Sequence, residues 1–313
     1  MNPLLQMNNM DTRFTLQFVA KKNGQLLREA LQEWRISKRA LTAIKFDGGM
    51  LTVNDVERNV RHILQAGDCV KVTFPPEEKS EGLAIEHGDL TIVYEDDAIL
   101  VLNKPAHQST IPPSREHPTN SIANLVCGYF QQQGLDSTAH IVTRLDRDTS
   151  GLLCIAKHAH IHHLTGLAQR SREISRQYEA IVHGHIEQNF QSIIAPIGRK
   201  EASIIEREVR EDGQYAHTDV KVLKRFLLGA EPMTHVRLQL HTGRTHQIRV
   251  HMSHLGHPLV GDDLYGGGSR LQIDRQALHC VSLSMEHPLT SVPLHFTSML
   301  NEDMQRLLKE SSA

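Results

Sequence analysis

The sequence predicts an α+β protein: a largely antiparallel mixed sheet flanked by helices, preceded by a small α+β module. Three observations carry this expectation. Short strand-like runs outnumber helical ones and do not alternate with them regularly, which argues against a doubly wound parallel sheet. A breaker-rich, acidic stretch, "PPEEKSEGLAIEHG" from Pro75 to Gly88, divides the chain in two. The 313 residues, 39% apolar and 22% charged, suffice for two domains of ordinary globular composition.

Taken in order, residues 1–12 read as a tail, 13–74 as the small module, 75–89 as a linker and 90–313 as the larger domain. In the module, "GQLLREALQEWRISKRALTAIKFDGG" places Leu27, Leu31 and Trp34, then Ala40, Leu41 and Ile44, at helical spacing. Two short amphipathic helices are expected, with Ser37 capping the second and Gly48 and Gly49 stopping it. "MLTVNDVE" reads as a hairpin turning at Asn54 and Asp55, and "CVKVTF" as a further strand.

The larger domain opens with strand-like "LTIVYED" and "AILVLNKP", passes through a loop at "STIPPSREHPTNS", and enters a helix at "SIANLVCGYFQQQG". A helix at "IHHLTGLAQRS" and a strand at "SRQYEAIVHG" follow. Farther on, Val236, Leu238 and Leu240 alternate as on a half-buried strand. Thr245 is placed to cap a helix whose inner stripe is Ile248, Met252 and Leu255, stopped by Gly256 and Pro258.

With 34 basic against 36 acidic residues the net charge is −2, so any affinity for nucleic acid has to come from local clusters. One such cluster surrounds the module's helices: Lys21, Lys22, Arg28, Arg35, Lys38, Arg39 and Lys45. It suits a phosphate-facing surface or a solvated helix face. The four scattered cysteines read as free thiols. No apolar run approaches a membrane span and the N-terminus lacks a secretory pattern, so a cytoplasmic protein without a membrane partner is expected.

Four features offer chemistry. "VTRLDRDTSGLLCIAK" sets Asp146 between Arg144 and Arg147. It is either a solvated salt-bridge turn with Asp148 or a carboxylate held ionised in positive potential. "HTGRTHQIR" sets Arg244 before a helix N-terminus, an arrangement that suits an anion or a plain capping turn. Tyr178 shares a strand face with Ala180 and Val182, as a core tyrosine or as a platform for a nucleobase. Histidine is abundant, at 21 residues, but no His-Glu-x-x-His spacing accompanies it, and no metal site is expected.

"RLDRDTSGLLCIAK", "SRQYEAIVHG", "LHTGRTHQIRVHMSHLGHPLVGDDLYGG" and "RQALHCVSLSMEHPLT", in this order, resemble the RluA/RluD family of pseudouridine synthases over roughly 90–298. The preceding module resembles the RNA-binding module first known from small-subunit ribosomal protein S-four. The resemblance implies isomerisation of uridine within structured RNA to pseudouridine, without a cofactor, by a chain expected to be monomeric. By motif, Asp146 falls on the catalytic aspartate, Tyr178 on the active-site tyrosine and Arg244 on the aspartate's basic partner. Arg144 falls on the arginine that fills the gap left by the target base. Arg147, Lys38, Arg39 and Lys45 are expected to meet RNA. The S-four-like module points to large-subunit ribosomal RNA. Transfer RNA is the alternative substrate, and a non-catalytic ribosome-assembly factor the alternative class. Thr143, Arg176 and His107 depart from the family pattern, which often has His, Lys and Gly at those places.

Overall fold

The computed structural model describes residues 4–5, 13–77, 83–114, 118–268 and 273–310. Most of the expected tail, the middle of the expected linker at 78–82 and positions 115–117 of the loop before the first large-domain helix lie outside the described residues.

Asn54 and Asp55 both take positive φ, 50° and 64°, giving the small module the tight hairpin turn their residue types favour. Around that hairpin runs an antiparallel sheet in the order Leu4–Leu5, Thr15–Val19, Cys69–Thr73, Met50–Val53, Val56–Glu57. Helices Leu27–Glu33 and Lys38–Phe46 cover it, and the Ser37 hydroxyl accepts from Ala40 N at 3.1 Å as the expected N-cap. Leu16, Leu27, Leu31, Val70 and Val72 are wholly buried. Each such side chain adds about 1.5–3 kcal/mol of burial.

The large domain is a ten-stranded mixed sheet. Its main path runs Phe190–Ile194, His217–Leu228, Glu231–Leu240, Ser175–His183, Leu278–Glu286, Ser150–Ala156, Ile99–Lys104, Ile92–Glu95. Strand Ser150–Ala156 pairs in parallel with Leu278–Glu286, and the other pairings are antiparallel. Helices Ile122–Gln132, Ala159–Arg170, Gln247–His254 and Glu302–Glu310 flank it. The parallel pairing demands Gly151: its φ is +112°, and a Cβ there would lie 2.4 Å from Cys280 O.

One local expectation is corrected. The N-cap position of the helix after the "HTGRTHQIR" turn is His246, in the left-handed conformation at φ 56°, rather than Thr245. In the stretch from Pro75 the Glu77 side chain is largely buried. It pairs with His140 and with His158 at 3.1 Å, and accepts from Ala159 N at 2.7 Å. Phe14 stacks on His158 at 4.3 Å and Phe74 on His160 at 4.9 Å, so one apolar cluster runs from the small module into the large sheet. The breaker composition carried no sign of these docking contacts.

Candidate active site

The loop from Arg144 to Thr149 is held by side chains from several other segments. Thr110 Oγ1 donates to Leu145 O at 2.7 Å and accepts from Leu145 N at 3.1 Å. Lys104 Nζ, itself buried, donates to Arg147 O at 2.9 Å and to the carbonyls of Pro105 and Gln108. Arg275 Nη1 donates to Asp148 O at 3.1 Å, and Gln276 Nε2 to Thr149 Oγ1 at 3.2 Å. A loop whose carbonyls are satisfied in this way has little freedom to re-aim its side chains.

Within it the two aspartates part company. Asp148 takes the salt-bridge role, accepting from Arg147 Nε at 2.9 Å and Nη2 at 3.1 Å. His107, which has φ 61° where relatives of the resembled family often carry Gly, brings Nδ1 within 3.3 Å of Asp148. Asp146 instead lines a cavity of about 260 Å³ with Arg144, Tyr178, Arg244, His246 and Arg249.

Arg249 is the arginine that reaches Asp146. Its Nε and Nη2 donate to the fully buried Asp262 at 2.7 and 2.8 Å, and Nη1 stands 3.7 Å from Asp146 Oδ2. Tyr265 lies under the guanidinium at 4.9 Å from ring centroid to Cζ, and its hydroxyl meets His246 Nδ1 at 2.8 Å. Burial disfavours the Arg249 cation more than any single contact favours it, but the Asp262 hydrogen bond and the charges of Asp262, Asp146 and Tyr265 together outweigh it, and the net shift is upward. Burial lowers the His246 pKa.

Tyr178 enters from strand Ser175–His183 at a break in the register with Leu278–Glu286, between Gln177 and Tyr178. It is 3% exposed and packs with the sheet core while one face borders the cavity. Burial pushes its phenol well above the ordinary range. Arg176 Nη1 stands 3.5 Å from the hydroxyl, at the long limit for a hydrogen bond.

Asp146, Tyr178, Arg144, Arg147 and Arg244 thus line one cavity. Arg244 does not occupy the place of ionic partner: its Nε donates to Tyr215 O at 2.9 Å, and the guanidinium sits exposed at the rim. Arg144 is exposed with no partner among the described residues and borders both this cavity and a neighbouring groove of about 800 Å³. Lys38, Arg39 and Lys45 stand apart, exposed on helix Lys38–Phe46. Sequence reasoning missed Arg249, Asp262 and Lys104. Their signal was present as an arginine one turn into the helix, an aspartate in "GDDLYGG" and the lysine of "NKP", but none declares its partner locally.

The chain is similar to known proteins over most of its length. Residues 98–254 match the family model described as RNA pseudouridylate synthase. An uncharacterized RNA pseudouridine synthase of Bacillus subtilis, YjbO, is 50% identical over 90% of this chain and 98% of its own length. Ribosomal large subunit pseudouridine synthase D of Pseudomonas aeruginosa is 38% identical over 83% of each chain. The human RNA pseudouridylate synthase domain containing 1 structure superposes with a TM-score of 0.55 at 25% identity, covering 73% of this chain and 98% of that one.

Proposed function

The chain belongs to the RNA pseudouridylate synthase family, and from that premise we propose that Asp146 is the carboxylate that breaks the glycosidic bond of a uridine in large-subunit ribosomal RNA. The observation that carries this reading is the meeting of a pinned Asp146, the Arg249 guanidinium and the Tyr178 ring in one cavity.

The isomerisation breaks the bond from ribose C1′ to uracil N1, turns the base, joins C1′ to C5, releases the C5 proton and places a proton on N1. No atom is gained and nothing is oxidised. Attack by Asp146 on C1′, or removal of a neighbouring sugar proton by it, needs the same ionised carboxylate beside the ribose. Arg249, anchored by Asp262, sets a fixed positive charge beside that carboxylate and orients it. Tyr178 gives the flipped uracil a face to stack on, and its neutral phenol is placed to relay the departing C5 proton.

Extruding the base costs a few kcal/mol, which contacts to the backbone offset. Arg144 at the mouth and Arg244 at the rim serve those contacts, with Lys38, Arg39 and Lys45 on the S-four-like module as a second, distant set. Large-subunit ribosomal RNA is favoured because relatives covering most of the chain carry that substrate in their names.

Tritium release from C5-labelled RNA tests the reading. Purified protein should release tritium from large-subunit ribosomal RNA of a strain lacking it, and not from that strain's transfer RNA. Release from transfer RNA alone would reverse the substrate assignment.

A further inference from the structure

We infer that His217, Asp219 and His241 form a site for one divalent transition-metal ion of the zinc class, at the end of a strand pair behind the Arg244 turn. The three offer ligand atoms that all lie within 4.8 Å of one another. His217 Nε2 is 3.1 Å from Asp219 Oδ1, and His241 Nε2 is 2.7 Å from Asp219 Oδ2. Neighbouring donors around tetrahedral zinc, with bonds of roughly 2.0–2.1 Å, stand about 3.3 Å apart. The His217–Asp219 distance is close to that spacing, and the His241–Asp219 pair reaches it by opening about 0.6 Å.

The backbone already fixes the donors. His217 and Asp219 sit two residues apart on one face of strand His217–Leu228, and His241 follows the adjacent strand Glu231–Leu240, with its N–H on His217 O at 3.2 Å. The imidazole rings stack at 4.1 Å, and both Nε2 atoms face the Asp219 carboxylate. Ser192 donates its hydroxyl to Asp219, the outer-sphere support that metal-binding carboxylates commonly have. Two imidazoles and a carboxylate leave a fourth position open, and all three residues are only partly buried, so an ion has a way in.

The ion's place has a consequence. Thr242 Oγ1 accepts from His217 N at 2.9 Å and donates to Gln247 Oε1 at 2.8 Å, and Gln247 Nε2 donates to His217 O at 3.0 Å. An ion on the trio therefore braces the turn that carries Arg244. It also adds positive charge beside the groove that His241 shares with Arg144, Arg170, Arg172 and Arg176. Its effect falls on RNA affinity and not on the isomerisation step, so the site stands or falls independently of Asp146.

Untagged full-length protein, stripped with a chelator, is titrated with Zn²⁺ by calorimetry and with Co²⁺ in the visible range. Saturable uptake of one ion per chain is expected, with the Co²⁺ bands of a four- or five-coordinate nitrogen and oxygen site. Asp219→Asn and His241→Ala should each weaken uptake at least about tenfold, and His254→Ala should not. Absence of saturable uptake by the wild type, or uptake unchanged in both variants, overturns the site. Should the variants fail to fold, ring-nitrogen NMR of the wild type decides. Zn²⁺ must shift two histidine Nε2 resonances, and no shift refutes the proposal.

Discussion

Arg249 divides its guanidinium between two carboxylates: Nε and Nη2 are bound to Asp262 at 2.7 and 2.8 Å, and Nη1 stands 3.7 Å from Asp146. The planar fork makes this division possible, since a lysine ammonium cannot span both sites in fixed directions.

Arg249→Lys should therefore lower kcat on the order of 10²-fold, the scale of one lost preorganised electrostatic contact, with little change in KM. Arg244→Lys should do the reverse, raising KM several-fold at nearly constant kcat, because Arg244 sits at the rim. Single-turnover tritium release on both variants checks the contrast. Arg249→Ala should also cost about 3–5 kcal/mol of stability by stranding the buried Asp262 charge.

Lys104 should matter for rate without touching the substrate. Burial draws its pKa down to about 7, with Asp148 and Asp146 opposing, and its three carbonyl acceptors suit the three protons of the ammonium form. Lys104→Met frees Arg147 O and lets Asp146 drift. A kcat loss on the order of 10²-fold is expected, as for a misplaced reacting group. Filter binding should find RNA affinity unchanged, and a wild-type rate would show that the loop is held by its other ties.

Tyr178→Phe keeps the packed ring and removes the hydroxyl, so RNA should bind within a few-fold of wild type. Tritium release should slow by roughly 10²–10⁴, the usual worth of a positioned acid or base. Because burial raises the phenol's pKa, the wild-type rate should show no phenolate limb between about pH 8 and 10.

Buried histidines set an acid limit to stability. Burial lowers His158 to about 4, His160 to about 3 and His279 to about 4. Each stays neutral in the fold while the unfolded chain takes up protons below about pH 6.5, so the stability is fully present above that pH. It falls by roughly 1.4 kcal/mol per pH unit per histidine as pH drops, and levels off below the folded pKa. Thermal melts from pH 7 to 4 should show the decline, and His160→Phe should flatten it.

The sequence made legible whatever depends on local pattern. The helix after Ser37, the turn at Asn54 and Asp55, the strand around Tyr178 and the approach of Asp146 to Tyr178 followed from periodicity, cap chemistry and family motif. Long-range pairing was hidden. Arg244 and Arg249 lie in one motif, and which of them faces Asp146 depends on His246 turning left-handed and on Asp262 folding beneath the helix. The histidine trio was equally invisible, since the strand pairing that brings His241 to His217 leaves no local spacing to read.

The most direct measurement is tritium release by Asp146→Asn alongside its RNA affinity, because this change preserves shape and removes the charge that Arg249 faces. Release should fall to background while binding stays within a few-fold of wild type. Sustained turnover by the purified variant would contradict the assignment of Asp146 and with it the mechanism.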